Sequence, residues 1–575
     1  MLFLYRSSIF IIFIKHLQFN MRLLFTSVLI FLSVAGFCKS TPFISYTITP
    51  FSSHNLNSLL VVMKFNGNAS GTTELLIPYN ADATSFTTDT SANTNQPQLI
   101  EVRNCQYREE PDHRLILQYQ PFKDITITYR VNNLIKDTVP ADGEYYTTIV
   151  NKKYFYILGE SLWMIPNDSS QTKYKIEFNW KGFPASCRFL NSFTADVSNH
   201  SGDSISLHDL QNSIFMGGDI RIYHMSINNR PVYFGIRGKW GFSDQEILQV
   251  IKKIVAGQRQ FWNDHDFGRY TISLLPLKYA SPENKSINGR SLYKTFVTEA
   301  TNMPSYSTND LLQLYNHELM HHWFSDVILQ GSPENDYKWF MEGFNDYFAH
   351  YVMKDPGLIS TEEFNRKINE KIASYYSDST NQYSNAIMSE QYWSSSKMQQ
   401  LPYTRGLIFA FYLNESIIKK TGGRTSLKNV IAQMLAESRN SKRQFDNQWL
   451  LTVLKQFTEY DYSADIDQYI LQGRFIPIQS WHNASDRVVE KQVEVFHFGF
   501  KTQTGQFKRQ AVISYVTPMS NIEKAGLKVG DIILDGDYKP GDPKQAATLK
   551  VQRGDQVIDL AFYPSKIITV PQIQS

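Results

Sequence analysis

Residues 317–342 read HELMHHWFSDVILQGSPENDYKWFME, and this stretch leaves few choices for the chain around it. His317 and His321 stand four residues apart, a spacing that on a helix puts two imidazoles on one face. Two such nitrogens can approach one ion at about 2.0–2.1 Å, the bond length of zinc, and Glu318, one residue round the helix, is then placed to reach a water on the metal's open side. Catalytic zinc usually has three protein ligands, so a third must come from elsewhere. The candidate is Glu342, which follows Trp339, Phe340 and Met341 and precedes Phe344, Tyr347 and Phe348, an apolar pattern that predicts a second buried helix. The Gly331-Ser332-Pro333 break between the two segments is a turn signal that lets the chain fold back on itself. His322 is expected to pack beside the ligands, and Asp346 is either an outer-shell partner of a ligand or a solvated helix carboxylate.

The 575 residues, 42% of them hydrophobic, suffice for several packed domains. The formal charge is only +3 and no long run of like charge occurs, so nothing points to nucleic acid. The 33 Tyr and 38 Phe suit a β-rich globular chain. Residues 1–40 read as a leader: Met21 and Arg22 precede an apolar run from Leu23 to Cys38, the order of a secretory signal peptide. Cleavage near Cys38-Lys39-Ser40 implies a secreted or periplasmic protein, with membrane association only through an uncleaved or lipidated leader. Removal of the leader would leave Cys105 and Cys187, either as one disulfide or as two unpaired thiols.

Along the mature chain the hydrophobic period changes twice. From 41 to 240 it is that of strands: Ile125, Ile127, Tyr129 and Val131 alternate with polar residues, as do Tyr174, Ile176, Phe178 and Trp180, which predicts an antiparallel β domain. From 241 to 355 an α+β unit is expected. Ser243 and Glu246 form a capping box for a helix carrying Ile247, Val250, Ile251, Ile254 and Val255. Strands follow at Tyr270–Leu275 and from Ser291 to Val297, then the His317 helix, capped by Ser307 or Thr308, with Leu312, Tyr315, Leu319 and Trp323 as its core stripe. From 356 to 478 the pattern is helical, with helices at Leu407–Ile418, Leu427–Leu435 and Trp449–Phe457, and a strand-like end at Gly473–Ile478.

His-Glu-x-x-His-x-Trp-Phe followed by Trp-x-x-Glu-Gly-Phe resembles the gluzincin metallopeptidases, with a spacing between His321 and Glu342 two residues longer than is usual in their aminopeptidase branch. Tyr403-Thr404-Arg405-Gly406 resembles that group's Tyr-x-Lys-Gly segment, which implies that Tyr403 donates a hydrogen bond to the reaction's oxyanion. The resemblance implies a thermolysin-like catalytic domain behind an N-terminal β domain that lines part of its cleft. Residues 490–570 look like a PDZ domain, through Ala525-Gly526-Leu527 and Gly530-Asp531-Ile532-Ile533 and through His497-Phe498-Gly499-Phe500, which is similar to a Gly-Leu-Gly-Phe carboxylate loop. Phe498, Gly499 and Phe500 are therefore candidate contacts for a peptide C-terminus. A PDZ domain behind this zinc signature narrows the resemblance to the glycyl aminopeptidase family.

The resemblance implies a peptidase with one zinc held by His317, His321 and Glu342, and with Glu318 and Tyr403 as catalytic residues. Related aminopeptidases hold the substrate's amino end with a glutamate on a strand before the zinc helix. This chain has Ser286-Ile287-Asn288-Gly289-Arg290-Ser291 there, with Glu283 nearby. An aminopeptidase is the leading expectation. Endopeptidase-like cleavage with the same zinc site, a non-catalytic PDZ peptide-binding protein and a zinc hydrolase acting on a non-peptide are the alternatives.

Overall fold

The computed structural model describes residues 41–575 apart from 52–57, 79–96, 133–147, 170–171, 201–203, 265–267, 278–285, 355–356, 479–486, 504–508, 540 and 575. The leader and the Glu283-Asn284 pair lie outside the described residues. Two compact units divide the chain, one ending at Ile220 and the other beginning at Arg221.

The first unit is built on strands whose inward faces form one core. Its largest sheet places Lys173–Trp180, Phe43–Phe51, Ser58–Asn66, Asp124–Asn132 and Gln98–Arg103 side by side. Alternate residues Tyr46, Ile48, Val61, Met63, Ile127 and Tyr129 are fully buried, as a strand with one inward face requires. Their hydroxyls are satisfied by backbone: Tyr46 donates to the Met164 carbonyl at 2.7 Å and Tyr129 to that of Leu162 at 2.9 Å. The sheet is not wholly antiparallel, because Phe43–Phe51 runs parallel to Lys173–Trp180, a strand reached through a long connection rather than a hairpin. Cys105 and Cys187 do not pair with each other, and among the described residues no disulfide braces this unit.

The second unit starts earlier than the hydrophobic pattern suggests. Arg221–Ile227 and Arg230–Ile236, which read as the tail of the β domain, belong to a five-stranded sheet through the parallel pairing of Arg230–Ile236 with Tyr270–Leu277. The strand expected from Ser291 to Val297 is a hairpin. Ile287–Leu292 turns at Tyr293-Lys294, where Lys294 has φ +51°, and returns as Thr295–Thr301. The helix Asp244–Phe261 carries the Ser243–Glu246 capping box, and Thr308–His321 opens on a second box between Ser307 and Asp310. Leu312, Tyr315 and Leu319 form the buried stripe of the latter, which Trp323 continues in the turn after it.

Beyond it, Glu334–Met341 and Gly343–Val352 are two helices broken at Glu342. The helix expected from Leu407 begins eleven residues earlier and runs Ser396–Thr421, so Tyr403 lies within it. Gly473–Ile478 is not a strand: Gly473 has φ +73°, the Tyr375 hydroxyl accepts from Ile476 N–H at 3.2 Å and the Tyr376 hydroxyl donates to the Ile476 carbonyl. One continuous core joins the sheet to all these helices, so the expected catalytic and helical domains are one packed body.

Two glycines decide how these helices meet. A Cβ on Gly343 would lie 2.3 Å from Gly406 Cα, and one on Gly406 would lie 1.8 Å from the Trp339 carbonyl oxygen. Only bare backbones can cross this closely. The crossing brings Tyr403, one turn before Gly406, over Glu342. Gly406→Ala is expected to destabilise the protein by about 1–3 kcal/mol, because the clash is with backbone that cannot repack, and denaturant unfolding of the two proteins measures it.

Near the C-terminus, Arg487–Phe496 and Ser565–Gln574 form an antiparallel ribbon. Between them, strands Ile513–Val516, Ile532–Asp537, Ala547–Arg553 and Gln556–Phe562 close on their own small core of Ile513, Ile522, Leu527, Ile533, Leu549 and Val551. Among the described residues, no helix is long and apolar enough to cross a membrane.

Candidate metal centre

The helical spacing of His317 and His321 does what four residues should: their Nε2 atoms lie 3.2 Å apart. Glu342, at the break between two helices, brings its Oε2 to 3.4 Å from each of them. A tetrahedral ion with bonds of about 2.0–2.1 Å requires ligand-to-ligand edges of about 3.3–3.4 Å, so the triangle fits one zinc. Glu342 Oε2 is buried and has hydrogen-bond geometry to neither imidazole, as expected of an atom aimed at a shared ion. Burial alone would raise the Glu342 carboxyl, but His321 and His317 hold it well below the usual carboxylate range. Among the described residues this trio is the one cluster of three metal-ligating side chains.

Both histidines are braced. His317 Nδ1 faces Asp346 Oδ1 at 3.4 Å, and its carbonyl accepts Asn345 Nδ2 at 3.0 Å. His321 Nδ1 lies 3.3 Å from Ser325 Oγ, which a π-helical turn over His322–Val327 carries round to it. A carboxylate behind a ligating imidazole selects the tautomer whose Nε2 lone pair faces the metal. Asp346 is thus an outer-shell partner rather than a solvated carboxylate. His322 turns away from the trio to Asp326 at 3.2 Å and packs edge-on against Tyr270.

Glu318 lies against the strand Ile287–Leu292. A Cβ on Gly289 would meet its Oε1 at 2.5 Å, so glycine there makes room for the carboxylate, and the Ser291 backbone N–H donates to it. Burial raises the Glu318 carboxyl above its ordinary range, against the opposing pull of both histidines. That suits a group that must accept a proton and later release it. Tyr403 stacks on His317 with ring centroids 5.8 Å apart, its hydroxyl turned to Glu342. Arg405, two residues on, is fully buried and donates to the carbonyls of Asn381, Tyr383 and Ile470, which anchors this part of the helix. The five zinc-site residues expected from sequence therefore converge. Phe498 and Phe500 pack about Gly499 on the core of the C-terminal module, with the Phe498 ring 4.8 Å from Tyr538.

Sequence reasoning missed Gln313, Ser325 and Asn345. The first two stand four residues from His317 and His321, and Asn345 stands three from Glu342, so helical spacing alone was the available signal.

Fold and site together define a two-histidine, one-glutamate metal centre with a buried carboxylate and a phenol beside it. No family model matches the chain, and no curated protein matches it. Among solved structures it is similar to an aminopeptidase N family protein from Idiomarina loihiensis, at TM-score 0.68 and 15% identity, over 92% of this chain and 98% of that one. An M1 zinc metallopeptidase from Deinococcus radiodurans also aligns, at TM-score 0.45 and 12% identity, over 76% of this chain and 95% of that one. At 15% identity the first likeness is one of fold.

Proposed function

We propose that this chain is a zinc-dependent peptidase of the aminopeptidase type. The observation that carries the reading is the triangle of His317, His321 and Glu342 with Glu318 and Tyr403 both at its side. The fold shared with an aminopeptidase N family protein supports it. Zinc bound there would supply Lewis acidity to a peptide carbonyl and to water. Glu318 takes the proton of the attacking water and passes it to the leaving amine. The Tyr403 hydroxyl donates to the oxygen on which negative charge develops. Asp346 holds His317 in register throughout.

A second reading, endopeptidase-like cleavage, is favoured by one observation. The strand beside Glu318 reads Ile287-Asn288-Gly289-Arg290-Ser291-Leu292 and offers no carboxylate to a substrate's amino end. Paired reporter peptides, identical except for a free or acetylated amino end, separate the two readings. Cleavage of the free-ended peptide alone is expected; equal cleavage of both would establish the endopeptidase.

Within the same proposal, residues 490–570 are a PDZ domain, of the kind carried by glycyl aminopeptidases, that receives a peptide C-terminus at Phe498, Gly499 and Phe500. The left-handed Gly499, at φ +80°, supports this, as does Phe500–Thr502, which pairs along one edge only among the described residues. The apolar run before Cys38 supports a secreted or periplasmic location.

A further inference from the structure

The carboxylate that orients His317 is itself held from a distant part of the chain. Asp346 Oδ1 faces His317 and accepts Gln313 Nε2 at 3.0 Å, while its Oδ2 meets Lys371 Nζ at 3.2 Å. Gln313 Nε2 also lies 3.1 Å from His350 Nδ1, which closes the other side. Asp346 is nearly inaccessible to solvent, whereas the Lys371 side chain is 34% exposed.

Lys371 stands on the helix Thr361–Ser377, and two residues before it Asn369 clasps the C-terminal strand. Asn369 Nδ2 donates to the Ile573 carbonyl at 2.9 Å, and its Oδ1 accepts Ile573 N–H at 2.7 Å. Gln572 Nε2 donates to the Asn369 carbonyl at 3.2 Å, and Lys566 Nζ to that of Ser377 at 3.2 Å. Residues two apart do not share a helix face. The helix therefore holds the strand with Asn369 and reaches toward the metal centre with Lys371.

We infer that Lys371 is a positioning residue for the metal, and that the strand Ser565–Gln574, by clasping the helix at Asn369, helps set how tightly His317 is held toward zinc. The inference rests on the zinc reading of the site. A partly exposed ammonium adds little net stability of its own, but it removes the alternative rotamers of the carboxylate it pins. Outer-shell partners of this kind typically change metal affinity by about 10–100-fold when lost.

The test uses the full chain and measures zinc affinity by competition with a chelator, together with the unfolding midpoint of the metal-free protein. Lys371→Met is expected to weaken zinc binding about tenfold while leaving the metal-free midpoint in place, and Lys371→Arg to restore most of the affinity. Asn369→Ala is expected to weaken zinc in the same direction, and the double variant to be no weaker than Lys371→Met, since both act through Asp346. Wild-type affinity in Lys371→Met would overturn the role of the lysine, and full additivity in the double variant would overturn that of the strand. Should methionine at 371 not fold, Lys371→Gln carries the same expectation. A wild-type chain that takes up no zinc would instead remove the proposed function itself.

Discussion

Glu318→Gln is expected to bind one zinc as the wild type does and to lower kcat by roughly 10³–10⁴-fold, near the upper end of what general acid–base catalysis contributes. The substitution keeps size and shape in a site with no room to spare, since Gly289 is bare where a Cβ would touch the carboxylate. It leaves His317, His321 and Glu342 untouched, so the metal stays. What it removes is a buried carboxylate beside the trio that is neither a ligand nor an orienting partner. An amide can neither take the proton of water nor return it to the leaving amine, and both transfers are lost together. Zinc content by elemental analysis and kcat on a reporter peptide decide the matter. Full residual activity would refute the assignment of Glu318 as base.

Tyr403→Phe is expected to reduce kcat by about 10²–10³-fold and to leave KM nearly unchanged. The ring would remain where it is, because its place is set by stacking on His317 and by the Gly343–Gly406 crossing below it rather than by the hydroxyl. The lost hydrogen bond is one that strengthens only as charge develops on the carbonyl oxygen, which is why the loss falls on kcat. A variant with raised KM and unchanged kcat would reassign Tyr403 to ground-state binding.

Much of this site was legible because helices repeat. The interval between His317 and His321, the place of Glu318 between them, the box at Ser243–Glu246 and the cap at Ser307 are local patterns, and they formed as local patterns do. Strand alternation likewise located Asp124–Asn132 and Lys173–Trp180. Where the reading failed, a long-range contact had overruled a local signal. The run from Ser291 to Val297 is apolar enough for one strand, yet it bends at Lys294 because both halves find partners in the sheet. The run from Gly473 to Ile478 has the composition of a strand, but Ile476 at its middle gives both its backbone groups to tyrosine hydroxyls about a hundred residues away.

Local sequence was enough to place two of the three donors and the base between them, since His317, Glu318 and His321 fall about one turn of helix apart at 3.6 residues per turn. Tertiary structure alone decided that Glu342 and Tyr403 close on that turn, because their meeting depends on two bare backbones crossing at Gly343 and Gly406. It also decided that Lys371 supports the site while the last strand holds the helix beneath it. Local periodicity carries no information about partners roughly two hundred residues away; only packing brings them together.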